Sequence, residues 1–333
     1  MTEKISNDIL KICSICKGVI GQVLPYNNVA YSNAPELQDL QIAFCTNCGI
    51  GVALPEKSWD IMQNFYERSY RSKCSIHRNA AHLLASKYSV SPRALSQWML
   101  LKTFRSFGSS DSFCDIGPGS GATLQTALFL GLNLKMYAYE PDEFSVGDLR
   151  KLGIEVYAKS FNPQIELPSI KFSAIVMSHV LEHFSISDSI AVLKKIKCIL
   201  SDDGIFLCEV PSTSIGVYGK MRRDDSPHLT FWTVSALQKA IMTAGMRILF
   251  TSTAGTKYED LWNNKQIPVN IKQGLFRGII KKAFLSKKCP KVLLNTALQI
   301  NSIVNRKTIY DLLAAPEFEY SSDRQYIRIV CST

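Results

Sequence analysis

Along residues 108–255, short apolar runs alternate with longer segments whose apolar positions recur every three or four residues, a pattern that predicts strands separated by helices. The runs are SFCDIG, KMYAYEP, IEVYA, FSAIVMS, GIFLCEVP and RILFTST. Helices are expected from Gly121, through Leu149, through Leu200 and over TVSALQKAIMTAG. Such alternation gives an α/β fold with a parallel sheet covered by helices on both faces. Near the C-terminus RQYIRIVCS reads as one more strand of the same sheet. Residues 324–333 then complete the core, and residues 256–323 form an insertion between its last two strands.

The pattern changes on the N-terminal side. From Ser58 to Phe107 apolar residues fall at helical intervals, at Trp59, Met62, Phe65 and Tyr66 and again at Leu95, Trp98 and Leu101, which predicts a helical connector over residues 58–107. The connector holds Tyr70, His77 and His82, for each of which a packing or surface role is the simpler expectation. Residues 1–57 show little helical periodicity and carry two Cys-x-x-Cys pairs, Cys13 and Cys16 in CSIC, then Cys45 and Cys48 in CTNC. One tight turn can aim two thiolates at a single ion, so two such knuckles complete a tetrahedral zinc site, here a structural zinc ribbon. Four unrelated cysteines, or two redox-active pairs, are the alternatives.

Composition adds three constraints. The 333 residues are 46% hydrophobic, enough for one large unit and one small one. The first residues, MTEKISNDILKIC, lack the apolar core of a secretory signal, and no apolar stretch approaches a membrane span, so a cytoplasmic protein is expected. The net charge of +10 is local: Leu261 to Tyr310 holds ten Lys or Arg and no Asp or Glu. Within it Leu275, Ile279 and Ile280 stand at helical intervals against Arg277, Lys281 and Lys282, a basic amphipathic helix. Such a helix could lie on an anionic membrane surface, grip a phosphate-bearing acceptor, or pack as a lid with a solvated Lys face.

The chemistry concentrates at strand ends. Asp115-Ile-Gly117-Pro-Gly119-Ser-Gly121 follows a strand and opens a helix, so its backbone can turn tightly and approach a ligand. A Gly-rich turn alone is a weak signal. Asp115 ahead of the first glycine would repel a pyrophosphate, yet it suits a ligand bearing an ammonium and a sulfonium, and the spacing is G-x-G-x-G instead of G-x-G-x-x-G. Glu140, 25 residues on in YAYEP, is placed to accept from ribose hydroxyls, the alternative being a solvated strand end. These features point to S-adenosylmethionine.

As an ordered set, DIGPGSG, YAYEP, FSAIVMSHVLEHF and GIFLCEVP resemble the class I methyltransferases over residues 108–255. That resemblance implies a Rossmann-like sheet and a cofactor site made by Asp115, Gly117, Gly119, Gly121 and Glu140, with the transferable methyl near Ser178 and His179. The four-cysteine module and Tyr-bearing linker also resemble the sugar C-methyltransferases and their relatives in surface-polysaccharide biosynthesis. The resemblance to that family implies roles near the acceptor for His183, in VLEHF, and His228, in SPHLTFW, and a hydroxyl from Tyr70. The family's Tyr and Glu ahead of the second histidine are Asp225 and Pro227 here, and its long C-terminal domain is absent, which leaves the methylated atom open.

Methyl transfer is an in-line displacement at an activated sulfonium, so the protein must position the acceptor and remove its proton. A histidine suits that base role, with His228 first and His183 second; His183 could instead hold the cofactor loop. The expected function is methylation of a small molecule or glycan, most simply a sugar, nucleotide sugar or surface-polysaccharide precursor. RNA methylation is the rival among enzymes, although the basic stretch lacks interleaved aromatics beyond Phe276 and Phe284, and nucleic acid is not the expected partner. A non-catalytic zinc-ribbon scaffold is the rival outside enzymes.

Overall fold

The computed structural model describes residues 12–26, 34–66, 92–221, 227–254 and 326–333. Tyr70, His77, His82 and the basic stretch from Leu261 to Tyr310 lie outside the described residues, and with them the helix expected there. No helix among the described residues is long and apolar enough to cross a membrane.

The N-terminal strands β1 (Ile20–Pro25), β2 (Gln41–Cys45) and β3 (Gly51–Leu54) pair in antiparallel order, each Cys-x-x-Cys knuckle lying beside a strand end. Helix α1 (Trp59–Phe65) follows, and α2 (Pro92–Phe104) opens on a proline, which lacks the amide that a first helical turn leaves unbonded. The connector's apolar periodicity is real at both ends: Trp59, Met62 and Phe65 are buried on α1, and Leu95, Trp98 and Leu101 on α2.

The core alternates as its pattern predicts: β4 (Ser112–Ile116), α3 (Ala122–Phe129), β5 (Lys135–Tyr139), α4 (Glu143–Lys151), β6 (Glu155–Tyr157), β7 (Phe172–Ser178), α5 (Ile186–Ile199) and β8 (Leu200–Pro211). Short α6 (Ile215–Tyr218), β9 (Thr230–Phe231), α7 (Val234–Thr243), β10 (Arg247–Ala254) and β11 (Tyr326–Ser332) complete it. The helices start where side chains can accept the free first-turn amides: Asp142 accepts from Ser145 N, Ser185 from Asp188 N and Thr233 from Ala236 N. Seven strands form one sheet in the order β10-β11-β8-β7-β4-β5-β6.

Alternate strand residues enter opposite cores. Phe113, Ala138 and Val176 pack with Leu95, Trp98 and Leu124 on one face, while Ile116, Tyr139 and Met177 pack with Val192 and Ile196 on the other. A sheet buried on both faces needs apolar residues in both registers, which is why its strands read as continuous runs.

The sheet departs from the expected all-parallel arrangement at one strand, because β11 lies antiparallel between β8 and β10. Ala254 and Tyr326 are register partners, so the chain leaves and rejoins the sheet at the same end. A parallel last strand would have required a crossover to the opposite end.

A second departure bears on the site. The N-terminal sheet takes its fourth strand from the core, with the order β1-β2-β3-β9. Gly51 pairs with Phe231 and Val52 with Thr230, Ala53 N donates to Leu229 O at 2.8 Å, and the Thr233 hydroxyl donates to Cys48 O at 2.6 Å. The cysteine module is therefore stitched to the residues just after His228.

Candidate functional site

A cavity of about 1020 Å³ opens at the carboxyl ends of the parallel strands, where open α/β sheets bind ligands. Its lining includes Asp115, Glu140 and Ser178 from strand ends, and Glu182, His183 and His228 from the segments that follow. Of the site residues expected from sequence, Asp115, Gly117, Gly119, Glu140, Ser178, His179, His183 and His228 all reach this one cavity. Gly121 sits behind it as the cap of α3.

The turn after β4 needs its glycines. Gly117 has φ +68°, and a Cβ there would meet Val180 Cγ2 at 2.5 Å. Gly119 has φ +53° with no atom within 4 Å of a Cβ position, so the open side of the backbone faces usable space. The turn is tied to the next strand: Glu140 Oε2 accepts from Gly119 N and Oε1 from Asp142 N, both at 2.9 Å. A carboxylate accepts more than one hydrogen bond at each oxygen, so Glu140 is of the residue type that can accept from a diol.

Asp115 is buried, and desolvation together with the Glu140 carboxylate pushes it up to about 8, against a smaller opposing effect of the Thr123 hydroxyl. A protonated acid beside a second carboxylate is an environment prepared for a cation. On the rim Phe144 is 87% exposed, an apolar ring beside the acidic pair.

The end of β7 is held by a buried polar network. Thr123 Oγ1 donates to Gln97 Oε1, Gln97 Nε2 to Ser178 Oγ, and Ser178 Oγ to Glu209 Oε1, at 3.1 to 3.2 Å. Arg328 of β11 pairs with Glu209 and donates to Ser96 Oγ, with both charged side chains fully buried. His179 follows in a left-handed conformation, φ +57°, which for a residue with a Cβ costs about 1–2 kcal/mol and is common at functional sites. That turn places its Nδ1 3.3 Å from Glu182 Oε1 and its Nε2 3.4 Å from Glu209 Oε1. Burial alone would lower the imidazole, but the two carboxylates reverse the sign and raise it.

Beyond His179 a short 3-10 turn, Leu181–His183, presents Glu182 and His183. His228 comes from the segment before β9, its Nε2 3.9 Å from Glu182 Oε1 and its ring 5.1 Å from that of His183. Leu229 N donates to Glu182 O at 2.9 Å, which fixes the two segments side by side, and Tyr26 OH, just after β1, donates to His228 O at 3.0 Å. Burial lowers both imidazoles: His183 falls below its usual value despite Glu182, and His228 drops to about 3 through burial and the neighbouring His183. Both are neutral near pH 7.

The four cysteines are together as well. Cys13 Sγ lies 3.7 Å from Cys48 Sγ, Cys16 Sγ lies 3.4 Å from Cys45 Sγ, and all four fall within 4.8 Å of one another. A tetrahedron of zinc–sulfur bonds has edges of about 3.8 Å, so the set fits a zinc ion closely. Gly18 N and Asn47 N each donate to a cysteine sulfur at 3.4 Å, the kind of support that thiolate ligands receive.

Several site residues were not anticipated from sequence: Gln97, Thr123, Phe144, Glu182, Glu209 and Arg328. Glu182 stands next to His183 in VLEHF, and Arg328 is a charge inside the otherwise apolar YIRIVCS, a signal that a buried partner awaits it. Gln97 and Thr123 gave no signal, since both lie on helices that read as packing elements.

Residues 85–249 match the methyltransferase domain family. Among solved structures, phosphoethanolamine N-methyltransferase 2 of Haemonchus contortus in complex with S-adenosyl-L-methionine aligns over 95% of this chain and 69% of its own, at 13% identity and a TM-score of 0.50. Coclaurine N-methyltransferase bound to N-methylheliamine and S-adenosylhomocysteine aligns over 82% and 91%, at 14% identity and a TM-score of 0.42. No curated protein sequence matches the chain.

Proposed function

We propose that the protein is an S-adenosylmethionine-dependent methyltransferase, a reading that the methyltransferase domain matched over residues 85–249 supports, and that it methylates a sugar, nucleotide sugar or surface-polysaccharide precursor. In this reading Asp115 and Glu140, with the backbone of Gly117, Gly119 and Gly121, hold the cofactor, and Ser178 and His179 border its sulfonium. The acceptor meets the methyl at His183 and His228, with Tyr70 contributing from the connector. The Lys and Arg residues between Leu261 and Tyr310 suit a phosphate-bearing acceptor or an anionic lipid surface. Zinc on Cys13, Cys16, Cys45 and Cys48 is structural, since four thiolates leave no open position.

The carrying observation is that one cavity is lined both by Asp115 and Glu140 and by Glu182, His183 and His228, which in this reading serve the two halves of the reaction. On one side is a buried acidic pair shaped for a cationic nucleoside, and on the other a cluster of Glu182 and two neutral imidazoles. The cofactor supplies an activated methyl. As the acceptor's bond to that carbon forms, the carbon–sulfur bond breaks, S-adenosylhomocysteine leaves uncharged, and the acceptor's proton departs at the cluster. Holding the two reactants in line is the protein's main contribution.

The test is calorimetric titration with S-adenosylhomocysteine, followed by a screen of nucleotide sugars for S-adenosylhomocysteine release. Micromolar binding that Glu140→Ala weakens by about tenfold or more is expected, since a buried bidentate acceptor is lost. No binding by the unaltered protein would remove the cofactor site and the function with it.

A further inference from the structure

Resting on the acceptor's meeting the cofactor at this cluster, we infer that Glu182, His183 and His228 bind a divalent transition-metal cation that receives an oxygen-bearing acceptor. Three observations converge on these residues. First, one donor atom from each lies within 4.8 Å of the others. Second, Glu182 is 1% exposed and neither of its carboxylate oxygens accepts a hydrogen bond, although His179 Nδ1 stands 3.3 Å away. A buried carboxylate without donors is costly, and a cation is the partner that relieves it most completely. Third, His183 Nδ1 faces the Pro227 carbonyl at 3.5 Å, the kind of outer contact that orients an imidazole ligand.

Two imidazoles and one carboxylate suit zinc, manganese, iron(II) or cobalt better than magnesium, which prefers oxygen alone. Bonds of 2.0–2.1 Å set donor separations of about 3.3 Å, so the 3.9 Å between Glu182 Oε1 and His228 Nε2 closes by a small side-chain shift. Three protein ligands leave the remaining positions open to the cavity that holds the cofactor site. There the cation would lower the pKa of an acceptor hydroxyl, so its proton can pass to water at the cavity mouth. The imidazoles then serve as ligands in place of the free base expected from sequence. A hydroxyl, sooner than a carbon acid or an amine, is the acceptor this donor set favours.

The experiment uses the full chain with zinc retained on its four cysteines. Manganese(II), which has little affinity for thiolates, is titrated with free ion followed by electron paramagnetic resonance, and S-adenosylhomocysteine binding is measured in parallel. One manganese site per chain is expected, weakened at least about tenfold in Glu182→Gln and in His228→Asn, with S-adenosylhomocysteine affinity within about threefold of the unaltered protein. No binding of manganese or cobalt beyond the cysteine site at about millimolar concentration would overturn the inference. So would binding that Glu182→Gln leaves unchanged. Loss of S-adenosylhomocysteine binding in the unaltered protein would instead strike the cofactor reading beneath it, and the two failures are told apart by that measurement.

Discussion

Asp115 offers the sharpest quantitative test of the cofactor site. Its carboxyl stands at about 8, because burial and the Glu140 carboxylate both oppose its charge. The ammonium that S-adenosylhomocysteine carries favours the ionised form, so binding must release the proton. The sign follows directly: affinity rises with pH while the free site is still protonated, and levels off above about 8. With that midpoint the ionised fraction is about 1% at pH 6 and about half at pH 8, so affinity for S-adenosylhomocysteine should increase roughly fiftyfold across the interval, about 2.3 kcal/mol. Near pH 7 about 0.9 proton is released per ligand bound. Calorimetry at pH 6, 7 and 8, in buffers of different ionisation enthalpy, reads both quantities. Asp115→Asn should abolish the slope and the buffer dependence while leaving affinity at pH 6 little changed. A wild-type affinity that moves less than about threefold between pH 6 and pH 8 would refute the reasoning.

The cysteine module should matter to the cavity through β9. Stripping zinc, or replacing Cys45 with Ser, is expected to raise hydrogen exchange at Leu229 and Phe231 by about tenfold or more while β4 and β7 stay protected; unchanged exchange would uncouple the two. The buried Arg328–Glu209 pair should respond as charges do when one partner is removed. Arg328→Met removes the fully buried cationic partner of Glu209 and leaves it Ser178, His179 and the half-buried Arg93, costing up to about 3–5 kcal/mol, and Glu209→Gln in the same chain should recover part of that. A single-variant loss below about 1 kcal/mol by denaturant titration would show that the pair is not the clamp its burial suggests.

The buried acidic clamp explains why some of the site was readable and some was not. Asp115, Gly117, Gly119 and Glu140 belong to two strand–turn units, and their chemistry depends on backbone turns and strand ends that short stretches of sequence encode. The four cysteines were readable for a related reason, since each knuckle is a local turn. By contrast the sequence singles out His183 and not its neighbour Glu182, which stands at the centre of the cluster. Nothing local tells an exposed glutamate from one sealed beneath two imidazoles.

By itself the sequence determined the alternating core and the positions of its two local motifs. These are properties of periodicity and of residue type, which act over a few residues. The tertiary structure alone decided that β11 runs antiparallel, that Arg328 meets Glu209 from 119 positions away, and that the cysteine module borrows β9. It alone placed His228 against Glu182 and His183 on the wall of the cavity that Asp115 and Glu140 also line. Those pairings join residues far apart in the chain, and they are set by which surfaces can bury together and which buried charges then find a partner.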